Sequence, residues 1–286
     1  MENILRSPLI RRELSAYGMK DAAVELIRHK EGVIVARVNS GSGTAILKAF
    51  ERDDFKREIL NYGILGDCGI PTIKVLDKSA DSLLLEDISA SEGFRLGAES
   101  DLYDPEVIKA LARWYRLLHD NGREYVRKNG AGMYSEWDLF TFENIEAVGE
   151  HFGLKENRGF RAVRDGFGLI DQKLRAMPMS LNYNDFYYTN LVVKKDKSEA
   201  MMFDYNLLGK GFNISDINNV TYWFSEENKA LFISEYGGVD PSLDILDRIC
   251  SPIISLQSAM SRGIFPEWAE EAIGKLEDIP RLISEV

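Results

Sequence analysis

An apolar-periodic stretch from Leu9 to Tyr17, closed by Gly18, predicts a short first helix. Three strand-like runs follow, Ala22 to Arg28, Val33 to Val38 and Thr44 to Phe50. The second is rich in valine and the third alternates. The residues linking them, Asn39-Ser40-Gly41-Ser42-Gly43, have the composition of a hairpin turn. The pattern then predicts a helix over Asp53 to Gly66, an extended stretch from Pro71 to Leu76 and a strand over Ser82 to Glu86. After Asp87 the period changes. Residues 104–120 read as an amphipathic helix, with Pro105 near its start and Gly122 just past its end. Helical periodicity returns over 139–177 and through the last 60 residues, with a short strand pair at 191–203 in between. The expected organisation is a β-rich segment, residues 1–88, joined near Glu86–Ser89 to a mostly helical segment, residues 89–286. No internal repeat or low-complexity tract interrupts it.

Charge and composition narrow the function classes. The chain has 286 residues and a formal charge of −11. Residues 1–88 hold 13 lysines and arginines against 14 acidic residues, whereas the rest holds 22 against 32. So acidic a second segment is a poor match for nucleic acid, which needs a basic stripe. It suits a cationic small molecule, although a solvated acidic surface accounts for the same excess. No apolar run approaches the length of a membrane span. The stretch Met1 to Arg12 carries both charge signs and no apolar core, so it does not read as a secretory signal. Two cysteines, Cys68 and Cys250, are too few for a disulfide framework, and the three scattered histidines give no zinc pattern. A reducing cytoplasm is the expected compartment.

Two charged residues sit where the pattern calls for apolar ones. Lys48 shares a strand face with Ile46 and Phe50. Glu58 shares a helix face with Phe55, Tyr62 and Leu65. An unpaired buried charge is very costly. The favoured reading is that the two face inward and satisfy each other. The plainer one is that each snorkels outward on its own.

A third constellation spans Asn182-Tyr183-Asn184-Asp185-Phe186-Tyr187-Tyr188-Thr189-Asn190. An apolar strand, Leu191 to Lys194, follows it, then a polar turn over Lys195 to Glu199, a second strand over Ala200 to Phe203, and Asp204. If Lys194 pairs with Ala200, Asn190 falls opposite Asp204. An amide oxygen beside a carboxylate is a hard-oxygen site suited to magnesium, which takes one or two protein ligands plus phosphate oxygens.

Asp185 and Asn190 match the D-x-x-x-x-N of a kinase catalytic loop, and Asp204 the metal-binding aspartate after it. With no D-F-G or A-P-E, the tract resembles the aminoglycoside phosphotransferase and choline kinase superfamily, not the protein kinases. Asp216 fits a further aspartate of that family, Leu117-Leu118-His119 a helix end, and Leu84-Leu85-Glu86-Asp87-Ile88 its linker strand. The likeness runs in order over roughly residues 20–220.

The resemblance implies an α+β, bilobal protein-kinase-like fold: a small antiparallel sheet with one helix, residues 1–88, binding nucleotide, and a larger helical lobe, residues 89–286, holding the catalytic loop and substrate site. It implies transfer of the γ-phosphoryl group of ATP or GTP to a hydroxyl of an aminoglycoside-like or other amino-alcohol or sugar. Asp185 would align or accept the proton of that hydroxyl. Lys48 would bind the α/β-phosphates with Glu58 orienting it, and the backbone of Glu86, Asp87 and Ile88 would meet the base. Asn190 and Asp204 would hold Mg2+. Asp216 would brace the loop, or simply cap a helix. Two features depart from the family pattern. Tyr183-Asn184 stands for the usual His-Gly, and the nucleotide loop, His29-Lys30-Glu31-Gly32, holds a single glycine. They keep two alternatives open, a choline-, homoserine- or thiosugar-type kinase and a catalytically silent binding protein on the same fold. Tyr187, Tyr188, Tyr205 and Trp223 are candidates for a substrate pocket or for core.

Overall fold

A computed structural model describes Ile4, residues 7–41 and residues 43–285. Several residues of the segment expected to lack a secretory signal, Met1–Asn3 with Leu5 and Arg6, lie outside the described residues, as does Ser42 of the expected turn. The chain forms two compact units. One comprises residues 1–121, 183–208 and 219–236, the other residues 122–182, 209–218 and 237–286. The expected junction near Glu86–Ser89 falls inside the first unit.

The first unit is built on an antiparallel sheet. Its strands are β1 (Ala23–Lys30), β2 (Val33–Asn39), β3 (Thr44–Phe50), β4 (Val75–Lys78) and β5 (Ser82–Glu86), in the spatial order β1-β2-β3-β5-β4. Helix α1 (Pro8–Ala16) is capped by the Ser7 hydroxyl, which accepts from the Ile10 amide. Its Ile10 and Leu14 pack with Ile34, Val38, Ala45, Leu47, Ala49 and Leu84 into an apolar cluster on one sheet face. Tyr17 and Glu13 fasten the helix end to β5, where the Ser82 hydroxyl lies 2.7 Å from each. Alternation along β3 then turns Lys48 to the opposite face, where α2 (Asp53–Asp67) lies.

The same unit holds the first turns of α3 (Pro105–Asn129) and a three-stranded sheet ordered β6 (Phe94–Leu96), β8 (Leu191–Lys194), β9 (Ala200–Met202). The register of β8 with β9 differs from the expected one by a residue. Leu191 pairs with Met202 and Val193 with Ala200, so Asn190 meets Phe203, whose amide donates to the Asn190 carbonyl at 2.9 Å. The turn sets this. Four residues close it, not five. The Lys194 amide donates to the Glu199 carbonyl, Lys197 takes a left-handed φ of 63°, and Asp196 bonds the Ser198 amide and hydroxyl.

The second unit carries α4 (Phe142–His151), α5 (Arg158–Ala176), α8 (Pro241–Arg262), α9 (Glu267–Lys275) and α10 (Ile279–Ile283), with a two-stranded sheet of β7 (Ser180–Asn182) and β10 (Gly209–Gly211). α6 (Asn213–Thr221) and α7 (Glu226–Tyr236) precede α8. Asp216 lies within α6 and is buried, so it is not the helix cap that one reading allowed. The architecture is the expected α+β arrangement with a small antiparallel sheet. Among the described residues, no helix is long and apolar enough to cross a membrane.

Gly122 does not end α3, which continues to Asn129. A β-carbon there would lie 2.6 Å from the Leu181 β-carbon, so the glycine serves close approach to β7 and not termination. We predict that Gly122→Ala destabilises the protein by about 1–3 kcal/mol through overpacking. A thermal midpoint equal to that of the parent would show that β7 yields freely.

Candidate active site

Strand β3 and helix α2 bring two oppositely charged side chains together within the first unit. The Lys48 ammonium lies 2.6 Å from the Glu58 carboxylate and 2.8 Å from Asp204 Oδ1. Lys48 is 7 % exposed and Glu58 1 % exposed, so the ions are largely cut off from water. Burial works against the Lys48 charge, yet the two carboxylates outweigh it and hold the ammonium above its ordinary value. Burial pushes the Glu58 carboxyl up to about 7, with Lys48 pulling it down and Asp204 adding to the rise.

Asp204 directly precedes a short 3-10 turn, Tyr205–Leu207, and has φ 64° and ψ 70°. The left-handed region costs most side chains roughly 1–2 kcal/mol and aspartate less, and contacts around the turn hold it there. From α2, Asn61 donates to the Tyr205 carbonyl at 2.7 Å. From the tract that precedes β8, the Tyr183 hydroxyl donates to the Phe203 carbonyl at 2.5 Å, and Asn184 Nδ2 to the Leu207 carbonyl at 3.0 Å. The Tyr205 ring lies edge-on between Tyr62 and Tyr183, at 4.9 and 5.9 Å, and is fully buried. Trp114 of α3 continues the aromatic series behind Tyr183.

The same tract positions Asp185 and Asn190. Burial pushes the Tyr183 phenol far up, and the charges of Asp204 and Asp185 act in the same direction. Asn190 Nδ2 faces the Asp185 carbonyl at 3.4 Å. Among the described residues neither Asn190 Oδ1 nor Asp204 Oδ2 has a hydrogen-bond partner. Nor do those residues hold any cluster of three histidine, cysteine or acidic side chains fit for a metal. One amide oxygen and one carboxylate oxygen fit a cation such as Mg2+, which draws its other ligands from phosphate and water.

The expected nucleotide-side residues lie around β5. Glu86 ends the strand, and its amide and carboxylate both bond Lys74. Asp87 caps the 3-10 turn Ile88–Ala90 and accepts from Arg37 at 2.8 Å. The carbonyls of Asp87 and Ile88 take the amides of Ala90 and Ser91. The single-glycine loop is a two-residue hairpin turn in which Glu31 and Gly32 both have positive φ, 55° and 82°. Such a turn needs only one glycine, so the thin composition follows from its type. The Glu51 amide fastens it by donating to the Gly32 carbonyl at 2.8 Å.

Sequence reasoning missed Asn61, Arg37 and the part played by Tyr183 and Asn184. Asn61 lies three residues beyond Glu58, and the test that singled out Glu58, a polar residue on an apolar helix face, would have found it. Of the candidate aromatics, Tyr205 is core. Tyr187 and Trp223 are 50 % and 40 % exposed, with ring centres 5.9 Å apart. His119 is buried against the Tyr236 hydroxyl, a structural setting.

A carboxyl whose folded pKa exceeds its ordinary one stabilises the fold below the lower value and loses that contribution as pH rises through the higher. For Glu58 the window runs from 4.5 to about 7. Across it, the wild type should lose stability relative to Glu58→Gln and then level off. Paired melting curves check this, and a difference independent of pH would refute it.

No protein-family model matches the chain, and no curated protein matches it. Solved structures do. One is a choline/ethanolamine kinase family protein from Mesorhizobium loti, 14 % identical, with a TM-score of 0.63 over 96 % of each chain. Another is a macrolide 2'-phosphotransferase from Brachybacterium faecium, 14 % identical, with a TM-score of 0.62 over 93 % of this chain and 97 % of that one. A third is the choline kinase LicA from Streptococcus pneumoniae, 12 % identical, with a TM-score of 0.60 over 98 % and 99 %. The chain thus has the protein-kinase-like fold of these choline kinase and macrolide phosphotransferase structures.

Proposed function

We propose that this protein is a small-molecule kinase that transfers the γ-phosphoryl group of ATP or GTP to a hydroxyl of an aminoglycoside-like or other amino-alcohol or sugar. One observation carries the reading: Lys48 Nζ lies between Glu58 and Asp204, joining residues 156 apart in sequence. A structural ion pair needs only one carboxylate. Two around one buried ammonium, the second in a strained turn, suit a site that waits for polyphosphate and its metal.

In this reading residues 1–88 bind the nucleotide and residues 89–286 supply the catalytic loop and the acceptor site. Lys48 donates to the α/β-phosphates while Glu58 holds its direction. The backbone of Glu86–Ile88 meets the base. Asp185 takes the proton of the attacking hydroxyl as its oxygen bonds to the γ-phosphorus. The bond to the β,γ-bridging oxygen breaks, and its electrons leave with the nucleoside diphosphate. Asn190 and Asp204 would hold Mg2+, which when bound neutralises phosphate charge. Catalysis is then positioning plus electrostatic stabilisation. The exposed Tyr187–Trp223 pair, two residues past Asp185 on one side, favours an amine-bearing acceptor, whose charge can rest on aromatic faces.

ATP consumption with a panel of amino-alcohols and sugars tests the reading. Asp185→Ala and Asp204→Ala should each lower turnover by about 10³-fold or more while the melting temperature stays within a few degrees. Turnover unchanged in Asp204→Ala would sink the assignment, as would wild-type protein that neither binds nucleotide with magnesium nor consumes ATP.

Trp223→Ala should raise KM for a cationic acceptor by about tenfold and leave kcat nearly alone, as loss of a cation–π contact worth roughly 1–2 kcal/mol implies. An equal effect on a neutral sugar would show that the ring does not read charge.

A further inference from the structure

The two residues that depart most from the family pattern, Tyr183 and Asn184, both reach the turn that bears Asp204. Tyr183 donates to Phe203, the residue before it, and Asn184 to Leu207, the end of the turn. With Asn61 on Tyr205, the carbonyls of residues 203, 205 and 207 each take a donor from a side chain outside the segment. We infer that Tyr183 and Asn184 are positioning residues: they clamp the Asp204 turn to the Asp185 loop and fix the spacing of the two carboxylates.

Each residue type suits its place. Asn184 has φ 66°, a conformation that glycine takes freely and that asparagine adopts more readily than other side chains. Asparagine therefore keeps the backbone shape a glycine would give and adds an amide donor. Tyr183 is fully buried, with its ring edge-on to both Trp114 and Tyr205. Its phenol keeps its proton throughout the physiological range, because burial and two nearby carboxylates oppose ionisation. It thus remains a donor at pH values where an imidazole in its place would change charge.

The clamp itself is a statement about the chain. Its bearing on metal and nucleotide rests on the phosphotransferase reading above. The two are separable by experiment. Amide hydrogen exchange across residues 203–208 is compared in the wild type, Tyr183→Phe and Asn184→Gly. The glycine variant can keep the left-handed backbone while the side-chain amide is removed. Each substitution should speed exchange in that segment about fivefold, the equivalent of one hydrogen bond, with α1 and β1–β3 unchanged. Unaltered exchange in both variants would overturn the clamp whether or not the protein binds nucleotide.

The second arm uses a fluorescent ATP analogue titrated with and without magnesium. The magnesium midpoint should rise about 25-fold in the Tyr183→Phe, Asn184→Gly double variant, by loss of two such bonds. Affinity without magnesium should stay at the wild-type value. Equal loss in both conditions would show a general packing role and reject the positioning one. Failure of wild-type protein to bind the analogue at all would count against the kinase reading, while the exchange result still decides the clamp.

Discussion

A buried ammonium ion shared by two carboxylates is the constraint on which the first unit depends. Lys48 cannot be charged inside the protein without partners close by, and its partners come from elements far apart in sequence. Glu58 fixes the rotation of α2 against β3. Asp204 ties the segment after the β8–β9 hairpin to β3. The arrangement carries one positive charge against two negative ones, so it is electrostatically unfinished. Burial and that surplus together raise the Glu58 carboxyl despite a lysine at 2.6 Å. A further cation near Asp204 would relieve it, and a polyphosphate would give Lys48 another place to donate.

The parts of this picture that are legible from sequence are those governed by local periodicity and by cost. Thr44–Phe50 and Ser82–Glu86 are strands with the expected bounds, because alternation and flanking turns specify them. Lys48 and Glu58 stand out because a charge on an apolar face demands an explanation, and their contact is the one that demand implies. Less legible are features set by tertiary contact. β6, β7 and β10 are three residues each, too short to show a period. Gly122 has the look of a helix stop, since composition cannot separate a glycine that ends a helix from one that admits a neighbour.

The hairpin register shows how one residue matters. The polar run suggests a turn of five residues and the structure has four, which moves Asn190 from Asp204 to Phe203. Asn190 and Asp204 are therefore not cross-strand partners. Asp204 lies one position beyond the pair and reaches its orientation through left-handed backbone, not through strand pairing. The sequence holds a hint of this, because a polar Asp-Tyr-Asn run after an apolar strand marks a turn.

Departures from a family pattern are commonly taken as signs of decay. Here both departing side chains make defined contacts in the chain. Asn184 tolerates the positive φ of its position, and Tyr183 places a buried hydroxyl on a carbonyl 20 residues away. Both changes converge on the same five-residue segment, and that segment contains the strained residue that meets Lys48. Strain persists only where surrounding contacts over-determine it. In this chain those contacts include the very side chains that look anomalous, so the unusual dipeptide and the unusual backbone at Asp204 are two sides of one arrangement.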